Sequence, residues 1–172
     1  SLGAPAGIGA SLWALSGLVW LATVAAYAAR LRSPADLLAD LRHPVLGPFA
    51  ALVPATAALH GAHLAGTAPT LATGVVLTAT LGSTVFGAWF LARLLTEPRD
   101  PATVHGGYLL PTVAASFLIG QSLAAIGHPD AGTAFIVVGV LFWLLIGALV
   151  ISRLALGPAL PSALLPTLAI VS

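Results

Sequence analysis

From Phe135 to Ile151 the chain carries no polar side chain. A helix over that stretch is apolar on every face, which suits a buried or lipid-immersed helix and not one lying on the surface of a soluble domain. Composition decides between the two settings. Of 172 residues, 59% are hydrophobic and 6% charged, and the mean hydropathy is +1.05, whereas soluble domains carry about 25% charged residues. Six arginines and five acids cannot cover a globule of this size, so a soluble fold is excluded. A membrane β-barrel would need runs of about ten residues alternating apolar and polar, which the sequence lacks. The fold class expected is all-α: a polytopic membrane protein.

At about 20 apolar residues per crossing, the length allows five or six spans and no separate soluble domain. Hydropathy places them at Ile8–Ala29, Val45–Leu64, Thr70–Leu95, Gly107–Ile126 and Gly132–Leu156, with a sixth beginning near Ser162 and ending with the sequence at Ser172. Pro- and Gly-containing connections separate them, such as Arg32-Ser-Pro-Ala-Asp36 and Gly127-His-Pro-Asp130. Residues 1–172 are thus one transmembrane domain.

Arginine orients the chain, because cytoplasmic loops are enriched in Lys and Arg. Arg30, Arg32 and Arg42 flank the first connection, Arg93 and Arg99 the third, and Arg153 the fifth, with none at the second and fourth. Those three connections are therefore expected on the cytoplasmic side. A net charge of +1 and the lack of cysteine argue against nucleic-acid binding, disulfides and thiolate metal sites.

Laying the spans over one another exposes a repeat. Pro54, Pro111 and Pro166 stand inside the second, fourth and sixth spans, 57 and 55 residues apart, and the first, third and fifth spans end at Arg30, Arg93 and Arg153, 63 and 60 apart. The unit is a hairpin of one proline-interrupted helix and one uninterrupted return. The sequence opens on a return helix and closes on a proline helix, and it contains no methionine. An internal piece of a longer membrane protein is expected.

Proline inside a helix removes a hydrogen bond and clashes with the carbonyl four residues back, and a membrane tolerates this where neighbours or a water-filled cavity satisfy the freed groups. Three prolines at equivalent positions point to helices bent around a common axis. On the second span, Phe49, Val53, Thr56, His60, His63 and Thr67 share one arc, and on the fourth Tyr108, Thr112, Ser116 and Ser122 share another. The blander alternative is that such hydroxyls bond their own backbone. Thr73, Thr80, Thr84 and Gly87 on the third span fit close helix packing. The large aromatics of the intervening spans, among them Trp13, Trp20, Trp89 and Trp143, suit a lipid-facing ring.

No Asp, Glu or Arg lies at the centre of any span, where proton-coupled carriers place an ionisable residue. Hydroxyls and bent backbone can instead hold a permeating anion loosely enough to release it. Nucleophile-elbow, Walker and His-Glu-x-x-His patterns are absent, so no enzyme and no cofactor is expected. The alternative is a membrane-embedded haem or redox protein using His60 and His63, although no carboxylate or cysteine stands near them in sequence to complete a metal site. A non-conducting scaffold is a third reading.

Two motifs carry a family resemblance. Asp40-Leu-Arg-His-Pro-Val-Leu46 ahead of the second span and Gly106-Gly-Tyr-Leu-Leu-Pro-Thr-Val-Ala-Ala115 opening the fourth resemble the tellurite-resistance/dicarboxylate transporter family. That family takes in bacterial tellurite-resistance proteins, fungal malate and sulfite exporters and the slow anion channels of plant guard cells. The resemblance implies ten helices in five hairpins, with kinked odd helices lining a central pore, often in a trimer. This chain would then run from the second helix to the start of the seventh, with the gating phenylalanine of the ninth beyond it.

The function expected is transport of small anions, such as a C4-dicarboxylate like malate, sulfite, chloride, nitrate or a tellurite-related species, by a multi-pass protein of the cell membrane. Its partners would be the anions, the lipid bilayer and further copies of itself. The residues expected to line the path are Phe49, Pro54, Thr56, His60, Tyr108, Pro111, Thr112 and Ser116.

Overall fold

A computed structural model describes residues 6–171, and no strand occurs among them. Four helical stretches are long and apolar enough to cross a membrane, a fifth being added if the bent pair Pro34–Arg42 and Gly47–His63 is one span. The protein is an all-α polytopic membrane protein. Its residues fall into two compact units, divided between Ala39 and Asp40.

The first unit is dominated by α1 (Ala6–Arg30). At 1.5 Å per residue its 25 residues reach about 37 Å, more than the hydrocarbon thickness. Leu12, Leu15, Leu18 and Leu21 are exposed, as lipid-facing side chains are. Its hydroxyls are spent locally: Ser11 donates to Gly7 O and Thr23 to Val19 O. A short α2 (Pro34–Arg42) follows within what the sequence reads as a connection. Ser33 and Asp36 start it as a reciprocal cap: the Asp36 carboxylate accepts the Ser33 N–H at 3.0 Å, and Ser33 Oγ accepts the Asp36 N–H at 3.2 Å. Nine residues with two acids and an arginine are too few and too polar to register as a span.

The second unit holds two hairpins. In the first, a 3-10 turn (Gly47–Ala51) leads into α3 (Leu52–His63), which turns back into α4 (Pro69–Thr96). The pieces preceding and forming α3 together rise about 28 Å. In the second, a 3-10 turn (Gly106–Leu109), a π-helical turn (Leu110–Ala114) and α5 (Ala115–Ala125) run continuously, and α6 (Pro129–Leu156) returns. Gly127, at φ +91°, makes the tight reversal between α5 and α6 in a conformation that side chains disfavour. The sixth expected span is present as a 3-10 helix (Ser162–Ile170) rather than an α-helix.

α5 is the centre of this unit, packing on α3, α4 and α6. Two thirds of the apolar window 106–125 is buried, against about a quarter for α4 and α6. Small residues let the helices close, as expected where lipid supplies no hydrophobic drive. A Cβ on Gly120 would stand 2.7 Å from the Gly132 carbonyl oxygen. One core gathers Phe90, Val104, Tyr108, Leu109, Val113, Ile146 and Val150, and a second gathers Ala58, Val76, Ala79, Ile119 and Leu123.

Candidate functional site

Two of the repeat prolines stand where the backbone leaves regular α-geometry, and the third follows such a turn. Pro54 is the third residue of α3, directly after a 3-10 turn, Pro111 lies in the π-turn and Pro166 inside the 3-10 helix. Proline supplies no N–H, which the first turn of α3 tolerates at Pro54, whereas within a continuing helix the ladder must slip. At Pro111 the slip is visible, because the N–H of Ala115 bonds Leu110 O, five residues back. The Pro111 carbonyl oxygen presses on Gly87 of α4, where a Cβ would lie only 2.8 Å away.

Beside this slip lies a cavity of about 210 Å³ between α4, the π-turn with α5, and α6. Ser83, Thr84, Thr112 and Ser116 bring hydroxyls to it, Pro111 and Gly87 its kinked edge, and Ile119, Phe135 and Phe142 its apolar walls. Two hydroxyls follow the bland expectation: Thr84 donates to Thr80 O at 2.8 Å and Ser116 to Thr112 O at 2.5 Å. The other two do not. Ser83 Oγ and Thr112 Oγ1 are buried without any hydrogen-bond partner, a costly state for a hydroxyl unless something else meets it.

A second polar cluster ties the two motif segments together. Tyr108 Oη donates to Pro44 O at 3.2 Å and accepts from Arg99 Nη1 at 3.3 Å. His105 Nδ1 accepts the Gly107 N–H at 3.1 Å, so its Nε2 carries the proton and donates to Val45 O at 3.1 Å. The ring is fully buried, stacked on Phe49 at 5.9 Å and edge-on to Tyr108 at 5.4 Å. Burial holds His105 below the ordinary histidine pKa, with the hydrogen bond to Val45 opposing the shift. Outside this cluster, Arg93 pairs with Glu97 at 2.6 Å, and that hydrogen bond lowers the Glu97 carboxyl.

The eight residues expected along the path are thus distributed. Pro111, Thr112 and Ser116 meet at the cavity. Phe49 and Tyr108 belong to the clamp, Tyr108 wholly enclosed and edge-on to Phe90. Pro54, Thr56 and His60 are half-buried on α3 and do not line the cavity. Ser83 and His105 are not singled out by the sequence, and Arg99 figures there only in the orientation of the chain. Ser83 lies on α4 next to Thr84, one of the residues read as packing, and Arg99 and His105 lie in a connection, where only the fold brings them to a partner. Among the described residues no three His, Cys, Asp or Glu side chains gather where they could hold a metal.

The sequence pattern of SLAC1, described as a voltage-dependent anion channel, matches residues 3–172. The chain belongs to the SLAC1 family. A tellurite resistance protein TehA homolog of Haemophilus influenzae is 28% identical over 149 residues, covering 86% of this chain. The chain spans 45% of that relative's length. The resemblance carried by the 40–46 and 106–115 motifs is therefore borne out, and in this SLAC1 member the two motifs are the partners in the Tyr108 and His105 clamp.

Proposed function

We propose that this chain is part of a protein that passes small anions across the cell membrane, along a path formed where its proline-broken helices bend. One observation carries the reading: the backbone departs from α-geometry at Pro111 and at Pro166, and in the turn just ahead of Pro54, inside apolar segments. Irregular backbone at membrane depth is tolerated where it is buried in protein or lines a water-filled cavity. The cavity beside Pro111 supplies hydroxyl donors and no charge, which suits an anion held weakly enough to leave. SLAC1 family membership supports the same reading.

On this reading Pro111, Thr112 and Ser116, with Ser83, form the deepest polar patch of the path. Phe49, Pro54, Thr56 and His60 continue it along α3, and Tyr108 holds its entrance segment in place. The substrate would be a small anion such as malate, sulfite, chloride or nitrate. The working protein would be a ten-helix ring, of which these residues are the second to the start of the seventh helix, assembled as a homo-oligomer such as a trimer. The test is flux of those anions into liposomes holding the full-length protein. Selective anion flux is expected, and liposomes no leakier than empty ones would overturn the reading.

A further inference from the structure

Arg99 stands just beyond α4, in the turn that leads into the π-kinked helix. Its guanidinium carbon lies 5.9 Å from the Phe90 ring centre and 5.7 Å from that of Tyr108. One donor, Nη1, reaches Tyr108 Oη at 3.3 Å. Nε and Nη2, which share one edge of the guanidinium, are both buried and neither has a partner. The acids beside it in sequence are engaged elsewhere. Glu97 takes two hydrogen bonds from Arg93, at 2.8 and 2.6 Å, and Asp100 accepts the N–H of Ala102 at 2.9 Å.

A second guanidinium closes on the same turn. Arg153 is buried and donates to the carbonyls of Pro101 at 3.0 Å, Pro158 at 2.6 Å and Ala102 at 3.4 Å. Among the described residues it pairs with no carboxylate. The turn 99–103 therefore gathers the buried Arg153 and the half-buried Arg99, whose Nε and Nη2 are enclosed, with no carboxylate bonded to either, although the Arg99 charge acts on Glu97 at longer range. A charge removed from water needs a partner, and the Nε and Nη2 edge of arginine fits two oxygens of one planar anion.

We propose that Arg99 is a binding site for a planar oxyanion, a carboxylate or nitrate, gripped by two parallel hydrogen bonds from Nε and Nη2 in the turn that leads into the π-kinked helix. Its biological meaning rests on the anion-transport reading above. To take the anion the guanidinium turns off the two rings, which breaks one 3.3 Å hydrogen bond and no ion pair. The freed Tyr108 hydroxyl keeps its bond to Pro44. Chloride, a single acceptor atom, can meet both donors only through bent hydrogen bonds, whereas two oxygens of a planar anion take them in parallel, so chloride is held less well.

The test is thermal unfolding of the full-length protein in detergent, titrated with sodium nitrate or sodium chloride at constant ionic strength. A ligand that binds only the folded state raises its stability saturably. Nitrate should saturate at lower concentration than chloride in the unaltered protein. Arg99→Lys keeps the charge but loses the paired donors, and should raise the half-saturating nitrate concentration about tenfold while moving that of chloride little. Arg99→Gln should abolish both responses. Tyr108→Phe, which removes the hydrogen bond that the guanidinium must break, should bind nitrate at least as tightly as the unaltered protein. An Arg99→Lys protein that binds nitrate normally, or a Tyr108→Phe protein that loses binding to the same degree, would overturn the site. A protein that binds nitrate through Arg99 yet passes no anion in liposomes would refute the transport reading and leave the site standing.

Discussion

Tyr108 donates its phenolic hydroxyl to the backbone carbonyl of Pro44 at 3.2 Å, joining residues 64 positions apart. The bond fastens the segment entering α3 to the segment entering α5, and His105 repeats the link one residue on, at Val45. Adjacent proline-broken spans are thus clamped at the same end of the unit. Both links use backbone carbonyls as acceptors, so they hold the position of the chain rather than of particular side chains.

Tyr108→Phe removes one hydrogen bond while keeping the ring that packs on Phe90. The full-length protein should lose about 1 kcal/mol of stability, read as a lowered midpoint of thermal unfolding. A loss as large as that of Tyr108→Ala would mean that the hydroxyl, not the ring, carries the contact.

His105 gives stability a defined pH dependence. Its folded pKa is depressed by burial below the ordinary 6.5, so between the two values the unfolded chain binds the extra proton. Its contribution is complete above about pH 6.5 and declines as pH falls through that value toward the depressed folded pKa. Protonation of Nδ1 would also cost the bond from Gly107. Chemical unfolding at pH 5.5 and 7.5 should show lower stability at the acid end, and His105→Gln should flatten part of that slope.

Gly87 and Gly74 lie on the same helix and should respond oppositely to alanine. A Cβ at Gly87 meets the Pro111 carbonyl at 2.8 Å, a backbone atom that cannot rotate away, whereas at Gly74 nothing lies within 4 Å. Gly87→Ala should destabilise by about 1–3 kcal/mol and Gly74→Ala should be neutral or stabilise by up to about 1 kcal/mol. Unfolding midpoints of the two variants decide the matter, and equal values would mean that α4 does not approach the π-turn.

The long apolar helices were legible because composition and hydropathy act over whole segments. α1, α4 and α6 lie within a few residues of the stretches read from sequence, and the proline repeat marks two irregular turns, at Pro111 and Pro166, and the end of a third, just before Pro54. What hydropathy could not show was the type of each irregularity, since 3-10 and π turns differ only in where the slipped hydrogen bonds go. Nor could it show α2, whose start rests on the local exchange between Ser33 and Asp36. The site was legible in part. Thr112 and Ser116 were found on one arc, but a helical wheel places a residue on a face without saying which neighbour that face meets. It therefore set Tyr108 beside them, although the 3-10 turn before Pro111 turns that ring into the core. Ser83, contributed by another helix, had no signal of its own.

The arginine distribution sets an orientation. Reporters fused after Arg99 or Gly157 should read as cytoplasmic and those after Thr67 or His128 as external, by the positive-inside rule. An external signal after Arg99 would reverse the direction of every span.

The most direct measurement is cysteine accessibility at the hydroxyls beside Pro111, in a sequence region that contains no native cysteine. Thr112→Cys, Ser116→Cys and Phe117→Cys would each be placed in the full-length protein, freed of other cysteines and reconstituted in liposomes. Each would then be treated with a small hydrophilic thiol reagent while anion flux is followed. Modification at 112 and 116 that cuts flux, with protection by the permeant anion and no reaction at 117, is the expected result. Unreacted cysteines at 112 and 116 in liposomes that still pass anions would show that these hydroxyls are packing contacts and that the path runs elsewhere.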